Sequence, residues 1–246
     1  MRIAVLSDVH ANLAALDAVL KDAEGRRGLD RVWCLGDFVG YGPQPNEVLE
    51  RLQTETLVGV SGNHDLAATG AIDTEDFNPA AAEACRWGAE RLTDDNLEFL
   101  TGLASVVGDD ELQTVLCHGS LRAPAWEYVI TEEAARAQFA LMRQPWSFVG
   151  HTHIPLVIQQ ESDGSVSARH MEDGDAVILT DRRLILNPGG VGQPRDGDPR
   201  ASYALLDTEA RSVEFHRVRY RIRSTQALME AAGLPESLIR RLSRGL

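Results

Sequence analysis

The strongest constraint on the fold is a repeated succession of short apolar runs, each followed at once by a polar motif. Residues 2–7 form the first run, and residues 31–35 and 56–60 form the next two. Runs of four to eight apolar residues are typical of buried strands. Each of the three leads into a segment that carries Asp, Asn or His. The sequence therefore predicts a sheet whose strand ends present polar side chains.

Helical patterns separate these runs. Asn12 is a good N-cap, and apolar residues recur at helical spacing over 13–23. Further helices are predicted at 46–53, 79–93, 94–102 and 131–142, and more strands near 104–107, 112–117 and 146–150. Strands that alternate with helices predict an α/β fold with a parallel or mixed sheet.

The pattern changes after residue 155, where β-type runs dominate before two final helices at 224–232 and 235–244. This second half predicts another sheet stacked on the first, with strands at 155–160, 175–180, 183–187, 201–207 and 211–220. Neither a repeat nor a linker interrupts the chain. We therefore expect a single domain over 1–246, with residues 66–104 as a helical excursion over the site.

Five polar motifs follow apolar runs directly, and each carries residues that bind metals or perform acid–base chemistry. They are Asp8-Val9-His10, Gly36-Asp37, Gly62-Asn63-His64-Asp65, His118-Gly119 and Gly150-His151-Thr152-His153. In α/β folds the crevice beyond the carboxyl ends of the strands is the usual ligand site. The five motifs are therefore expected to meet there.

The residue types and their spacing point to divalent cations. In an extended segment, residues two apart face the same side, so Asp8 and His10 are expected to bind one cation together, and His151 and His153 to face one region. Carboxylate oxygens and imidazole nitrogens suit Mn, Fe, Zn, Co or Ni. A single D-x-H or H-x-H motif is weak evidence, whereas all five in order are strong evidence.

The net charge of −13 disfavours bulk nucleic-acid binding, because such a surface repels phosphate backbones. Residues 216–246 are locally basic, either as a contact surface or as a solvated helix face. No apolar run is long enough to cross a membrane, and the N-terminal run is too short for a secretory signal. We therefore expect a cytoplasmic protein that makes no membrane contact.

The ordered motifs resemble those of the calcineurin-like metallophosphoesterase superfamily, and the segments around them are similar to its small bacterial phosphodiesterase branch. The resemblance spans about residues 1–220. It implies a four-layer α/β/β/α sandwich of two stacked mixed β-sheets flanked by helices. It also implies two divalent metal ions, with Mn²⁺ expected to serve best in vitro.

Matched position by position, the resemblance assigns roles to the motif residues. One metal would be held by Asp8, His10, Asp37 and His153, and the other by Asp37, Asn63, His118 and His151. His64 would stay off the metals and protonate the leaving oxygen or stabilise its charge, with Asp65 orienting it.

One departure from the family bears on the substrate. Phosphoprotein phosphatases of this superfamily carry an arginine in the second motif, where this chain has Tyr41. Tyrosine cannot form a bidentate charged clamp, which argues against phosphoprotein substrates. Residues expected to contact the substrate instead are Asn12, Tyr41, Arg122, Arg195 and Arg200.

We predict a phosphodiesterase for small phosphate esters in which a hydroxide that bridges the metals attacks phosphorus. Two alternatives stay open: a phosphomonoesterase or dinucleoside-polyphosphate hydrolase with the same site, and a non-catalytic scaffold. The expected binding partner is a small phosphate ester. Self-association into a homo-oligomer is left open.

Overall fold

The computed structural model describes residues 1–26 and 28–246 of the chain. In chain order its elements are β1 (Arg2–Leu6), α1 (Leu13–Gly25), β2 (Arg31–Cys34), α2 (Pro45–Gln53), β3 (Leu57–Gly59), α3 (Asn63–Ala68), α4 (Pro79–Ala89), α5 (Asp94–Thr101), β4 (Val106–Asp109), β5 (Thr114–Cys117), α6 (Glu132–Leu141), β6 (Trp146–Phe148), β7 (Pro155–Gln160), β8 (Val166–His170), β9 (Ala176–Ile178), β10 (Leu184–Pro188), β11 (Ala201–Asp207), β12 (Ser212–Val218), α7 (Ile222–Ala231) and α8 (Glu236–Leu242).

The strands form two sheets of six. The first has the order β3-β2-β1-β11-β12-β9, and the second has the order β4-β5-β6-β10-β7-β8. Strand β1 runs parallel to β2 and antiparallel to β11, and β6 runs parallel to both β5 and β10. Both sheets are therefore mixed, as predicted.

Apolar side chains fill the space between the sheets and cover their outer faces. Val5 and Trp33 of the first sheet belong to one buried cluster with Phe148 and Leu186 of the second, and the Trp33 ring meets Phe148 edge-on at 5.5 Å. Helices α1 and α2 pack on the outer face of the first sheet, and α6 packs through Phe139 on the second. The predicted α/β/β/α sandwich is confirmed.

Two elements were not predicted. Strand β8 is mostly exposed and carries no apolar run, so its sequence gives no strand signal. Helix α3 begins with polar residues that belong to the site rather than to an amphipathic pattern. The segment between β3 and β4 holds α3, α4 and α5, while the single-domain organisation stays a prediction. Within the described residues, none of the helices combines the length and the apolarity that a membrane span requires.

Candidate metal centre

The polar motifs lie where the carboxyl ends of parallel strands from both sheets converge. Asp8 follows β1 and Asp37 follows β2, while His118 follows β5 and His151 follows β6. The loops after these strands belong to different sheets yet face each other. This placement brings residues far apart in the chain into one buried region.

A first cluster joins the first and last of the five motifs. The Asp8 Oδ1 atom lies 3.2 Å from His153 Nε2 and 3.9 Å from His10 Nε2. The two imidazole Nε2 atoms are 3.3 Å apart. All three side chains are buried, and their ligand atoms are close enough together to hold one metal ion.

A second cluster forms beside the first, around Asp37. Its Oδ2 atom lies 3.3 Å from His118 Nε2, and that nitrogen is 3.0 Å from His151 Nδ1. The same Asp37 oxygen lies 3.6 Å from His10 Nε2 of the first cluster. Asp37 is therefore the side chain that connects the two groups.

The outer nitrogens of the four clustered imidazoles each meet a main-chain carbonyl oxygen. The pairs are His10 Nδ1 with Val39, His118 Nδ1 with Leu35, His151 Nε2 with Trp126, and His153 Nδ1 with Gln193, at 2.5–3.1 Å. A carbonyl only accepts hydrogen bonds, so the neutral rings carry their protons on the outer nitrogens. The inner nitrogens then present lone pairs to one another, which fits a cation between them.

Buried polar atoms without partners support the same fit. Within the described part of the chain, neither Asp8 Oδ1 nor Asn63 Oδ1 has a hydrogen-bond partner, although both atoms are shielded from solvent. Burial raises the pKa of Asp8 to about 6. For His118, burial opposes the charged form, yet the Asp37 carboxylate raises the pKa to about 9. A cation would replace the proton that this His118 pKa favours.

Five of the clustered residues adopt left-handed backbone conformations. Their φ values lie between 48° and 66°, at Asp8, His10, Asp37, His151 and His153. Left-handed conformations are costly for residues other than glycine and persist where the surroundings enforce them, often at functional sites. The expectation that Asp8 and His10 share a side through an extended segment is therefore wrong. Turned backbone, rather than strand alternation, brings them together.

The loops that carry Asp37 are tied to the start of α3. Asp37 Oδ1 accepts a hydrogen bond from the main-chain nitrogen of His64 at 2.9 Å. The Asp65 carboxylate accepts from the main-chain nitrogens of Asp37, Val39 and Gly62. Burial, and then the nearby Asp37 charge, raise the pKa of Asp65 to about 7. Asp65 thus holds the loops of the candidate metal site, and within the described residues its hydrogen bonds come from the main chain rather than from the His64 ring.

Glycine is required at residue 62 by close packing. A Cβ atom there would lie 2.5 Å from the main-chain nitrogen of Asp37. Any larger side chain would displace the carboxylate that connects the two clusters.

His64 lies at the edge of the clusters with an unused nitrogen. Its buried Nδ1 has no hydrogen-bond partner among the described residues, and its ring packs against Tyr41 at 4.4 Å and Phe77 at 4.8 Å. Burial lowers the His64 pKa to about 4. The ring is also near enough to His10 and Asp37 to complete a three-residue metal group. Geometry alone thus allows both a catalytic and a ligand role.

A cavity of about 400 Å³ opens directly over the clusters, and one predicted arginine lines it. Arg195 donates from Nη2 to the Tyr41 hydroxyl at 3.2 Å, and its buried Nε has no partner among the described residues. Arg195 is therefore placed to meet an anion together with Tyr41.

The other predicted substrate contacts lie elsewhere. Arg122 forms an ion pair with Glu127, and Arg200 pairs with Asp173 and Asp198. Asn12 is buried and bonded to Ala15, Gly192, Tyr220 and Thr225, in the helix-capping role also predicted for it. None of the three lines the cavity over the clusters.

Three aromatic side chains that line this cavity were not predicted. They are Phe77, Trp126 and Tyr128, which come from loops rather than from the strand-end motifs. The only sequence signal was the occurrence of large aromatic residues in segments without periodicity. That signal does not locate them in space.

Comparisons with known proteins show the family of this chain. The sequence model of the calcineurin-like phosphoesterase superfamily domain matches residues 1–211. The chain belongs to the calcineurin-like phosphoesterase superfamily. The family resemblance predicted from the motifs is thereby confirmed, as is the prediction of a metal-dependent hydrolase of phosphate esters at the level of the family.

Relatives of this superfamily member include a solved metallophosphoesterase from Sphaerobacter thermophilus. It is 46% identical, with a TM-score of 0.90 over 100% of this chain and 99% of its own. An uncharacterized protein of Methanocaldococcus jannaschii is 35% identical over 99% of this chain and 98% of its own length. A symmetrical bis(5'-nucleosyl)-tetraphosphatase of an Enterobacter strain is 26% identical over 54% of this chain. This chain matches 47%, about half, of that relative's length.

Proposed function

We propose that this protein hydrolyses small phosphodiesters with a dinuclear metal centre. The observation that carries the proposal is the position of Asp37, whose Oδ2 atom lies within 3.6 Å of imidazole nitrogens from both clusters. A carboxylate between two sets of neutral imidazole ligands is the arrangement that two divalent cations need to share a ligand.

The proposed ligands follow from the two clusters. Asp8, His10, Asp37 and His153 would hold one cation, and Asp37, Asn63, His118 and His151 would hold the other. When bound, two such cations lower the pKa of a shared water and attract phosphate oxygens. The donor set suits Mn, Fe, Zn, Co or Ni, and we expect Mn²⁺ to serve best in vitro.

The chain's own residues position the ester and assist its leaving group. Hydrolysis joins a water oxygen to phosphorus, breaks one ester P–O bond and delivers a proton to the leaving oxygen. His64 lines the cavity, and because burial lowers its pKa to about 4, its neutral ring would donate a hydrogen bond that stabilises the charge on that oxygen, while water supplies the proton. Arg195 and Tyr41 would grip a phosphate oxygen, while Asp65 is a positioning residue for the loops.

A dinucleoside-polyphosphate hydrolase is the second candidate. It is favoured by the partial similarity to symmetrical bis(5'-nucleosyl)-tetraphosphatases, which extends over about half of their length. Both candidates take small phosphate esters, and a phosphomonoesterase would use the same side chains.

The predicted absence of bulk nucleic-acid binding and the cytoplasmic location are part of this proposal.

The test measures metal content and substrate range together. We expect about two equivalents of divalent metal per chain in protein purified with Mn²⁺, measured by elemental analysis. We expect turnover of bis(p-nitrophenyl) phosphate to exceed that of p-nitrophenyl phosphate. A folded protein that binds no metal would overturn the proposal, and exclusive activity on the monoester would overturn the diester preference.

A further inference from the structure

We propose that Trp126 and Tyr128 form a stacking platform for a nucleobase, so that the substrate of the metal centre is a nucleoside phosphate ester. The inference rests on the proposed function and adds the chemical class of the group attached to the phosphate. It comes from the aromatic side chains at the mouth of the cavity, which the metal chemistry leaves without a role.

The two aromatic side chains are more exposed than their size favours. Trp126 is 38% exposed and Tyr128 is 43% exposed, and both line the cavity whose floor holds Asp37 and His151. Large aromatic side chains left partly in water beside a cavity mark a binding surface, because their burial by a ligand is favourable.

Ring contacts fix both side chains relative to the metal clusters. Tyr128 stacks on His151 with ring centroids 4.1 Å apart and an angle of 10° between the planes. Trp126 meets Phe77 edge-on at 5.3 Å, and Phe77 meets His64 edge-on at 4.8 Å. The platform therefore adjoins His151 directly and His64 through Phe77.

The loop that carries the platform is held by its own bonds. The Ser120 hydroxyl donates to Glu127 at 2.5 Å, and Arg122 forms an ion pair with the same carboxylate. His151 Nε2 meets the main-chain oxygen of Trp126 at 3.1 Å. A loop fixed in this way loses little further freedom when a ligand binds.

The polar groups around the platform favour a nucleoside over a simple aryl group. Asp76 lines the same cavity and can accept hydrogen bonds from the amino and hydroxyl groups of a nucleoside. Arg195 supplies positive charge for the phosphate. The cavity of about 400 Å³ is within the range of small-ligand sites.

The test compares phosphates that carry a nucleobase with phosphates that lack one. Affinities of Mn²⁺-loaded protein for AMP and for ribose 5-phosphate are measured by calorimetry, and kcat/KM is measured for adenosine 2′,3′-cyclic phosphate and glycerol 1,2-cyclic phosphate. For each pair, the value for the ligand with a base is divided by the value for the ligand without one, which gives a base-to-no-base ratio. If one base stacks on the platform, Trp126→Ala should lower each ratio about tenfold. Trp126→Phe keeps a ring and should restore most of each ratio.

The outcomes separate this inference from the proposed function. One outcome is that both cyclic esters are hydrolysed and that neither Trp126→Ala nor Tyr128→Ala changes the base-to-no-base ratios of affinity and kcat/KM. That outcome would overturn the platform and leave the proposed phosphoesterase function intact. Hydrolysis of neither ester, with base-dependent binding of AMP that Trp126→Ala weakens, would support the platform and count against the proposed function. Equal affinity for phenyl phosphate and AMP would overturn the nucleobase assignment.

Discussion

Asp37 is the side chain on which both proposed metal positions depend. Replacing it with asparagine keeps its shape but removes the negative charge that both clusters share. We predict that Asp37→Asn loses most of the bound metal, because an amide is a far weaker ligand for divalent cations. Elemental analysis of the purified variant is the measurement. The control is Asp95→Asn, which removes an exposed carboxylate and should leave the metal content unchanged. Full metal content in Asp37→Asn would refute the role of Asp37 as a shared ligand.

The role of His64 is separable from that of the ligands. We predict that His64→Ala retains metal but loses roughly 10²- to 10⁴-fold in kcat, the usual contribution of an acid–base group. The exposed residue in His170→Ala provides the matched control and should keep full activity. Loss of metal from His64→Ala would show that His64 is a ligand, in keeping with its place beside His10 and Asp37.

The identities of the candidate site residues could be predicted from the sequence, but their conformations could not. Motifs such as Asp8-Val9-His10 follow strands, and strand ends converge in α/β folds. The left-handed backbone at Asp8 and His10 depends on contacts with distant loops, including the hydrogen bond from the His10 main-chain nitrogen to Asp37. No local pattern encodes that turn.

Helix α1 depends on Asn12 for more than its cap. The Asn12 side chain accepts from Ala15 and Thr225 and donates to Gly192, so it also joins the helix to two distant segments. We predict that Asn12→Ala lowers the free energy of unfolding by about 2–4 kcal/mol, since the cap is lost and buried partners are left unpaired. Urea denaturation is the measurement.

The matched control for this cap is Thr131→Ala. Thr131 caps α6 through one bond to Ala134, so we expect a loss of about 1 kcal/mol. Equal losses in the two variants would contradict the joining role of Asn12.

The secondary-structure elements that could be predicted from the sequence are those with a clear pattern of apolar residues. The apolar run of β1 and the amphipathic spacing of α1 gave clear signals, because each buries one face or both. Strand β8 gave none, because four of its five residues are exposed. Strand β8 is an edge strand that forms because it pairs with β7, so its own residues need not show a strand pattern.

In the molecule as a whole, we expect stability to depend on metal bound at the buried clusters. Without cations, lone pairs and carboxylates such as those of Asp8 and Asp37 are buried close together, which is unfavourable. We predict that chelation lowers the melting temperature and that Mn²⁺ restores it. A free metal concentration one hundred times Kd would stabilise the fold by about 2.7 kcal/mol.

Scanning calorimetry with and without chelator measures this effect. Asp37→Asn is the control and should show little response to added Mn²⁺. A wild-type melting temperature that changes neither with chelator nor with added metal would contradict the prediction.

The stacking of the two sheets was predicted only in outline. Alternation in the first half and short strands in the second half indicated two sheets, but the order of strands within them is a matter of long-range pairing. The loop with Trp126 and Tyr128 meets the candidate metal site only because β5 and β6 bring His118 and His151 there. Such proximity is a property of topology rather than of any segment.

The pairing of β1 has a consequence for biosynthesis. Its two neighbours are β2, which soon follows it, and β11, where Ala204 pairs with Val5. A ribosome must therefore translate as far as β11 before this inner strand of the first sheet is covered on both sides. Products that terminate before residue 201 would leave that strand's hydrogen-bonding edge open, and such chains are natural substrates for chaperones and proteases.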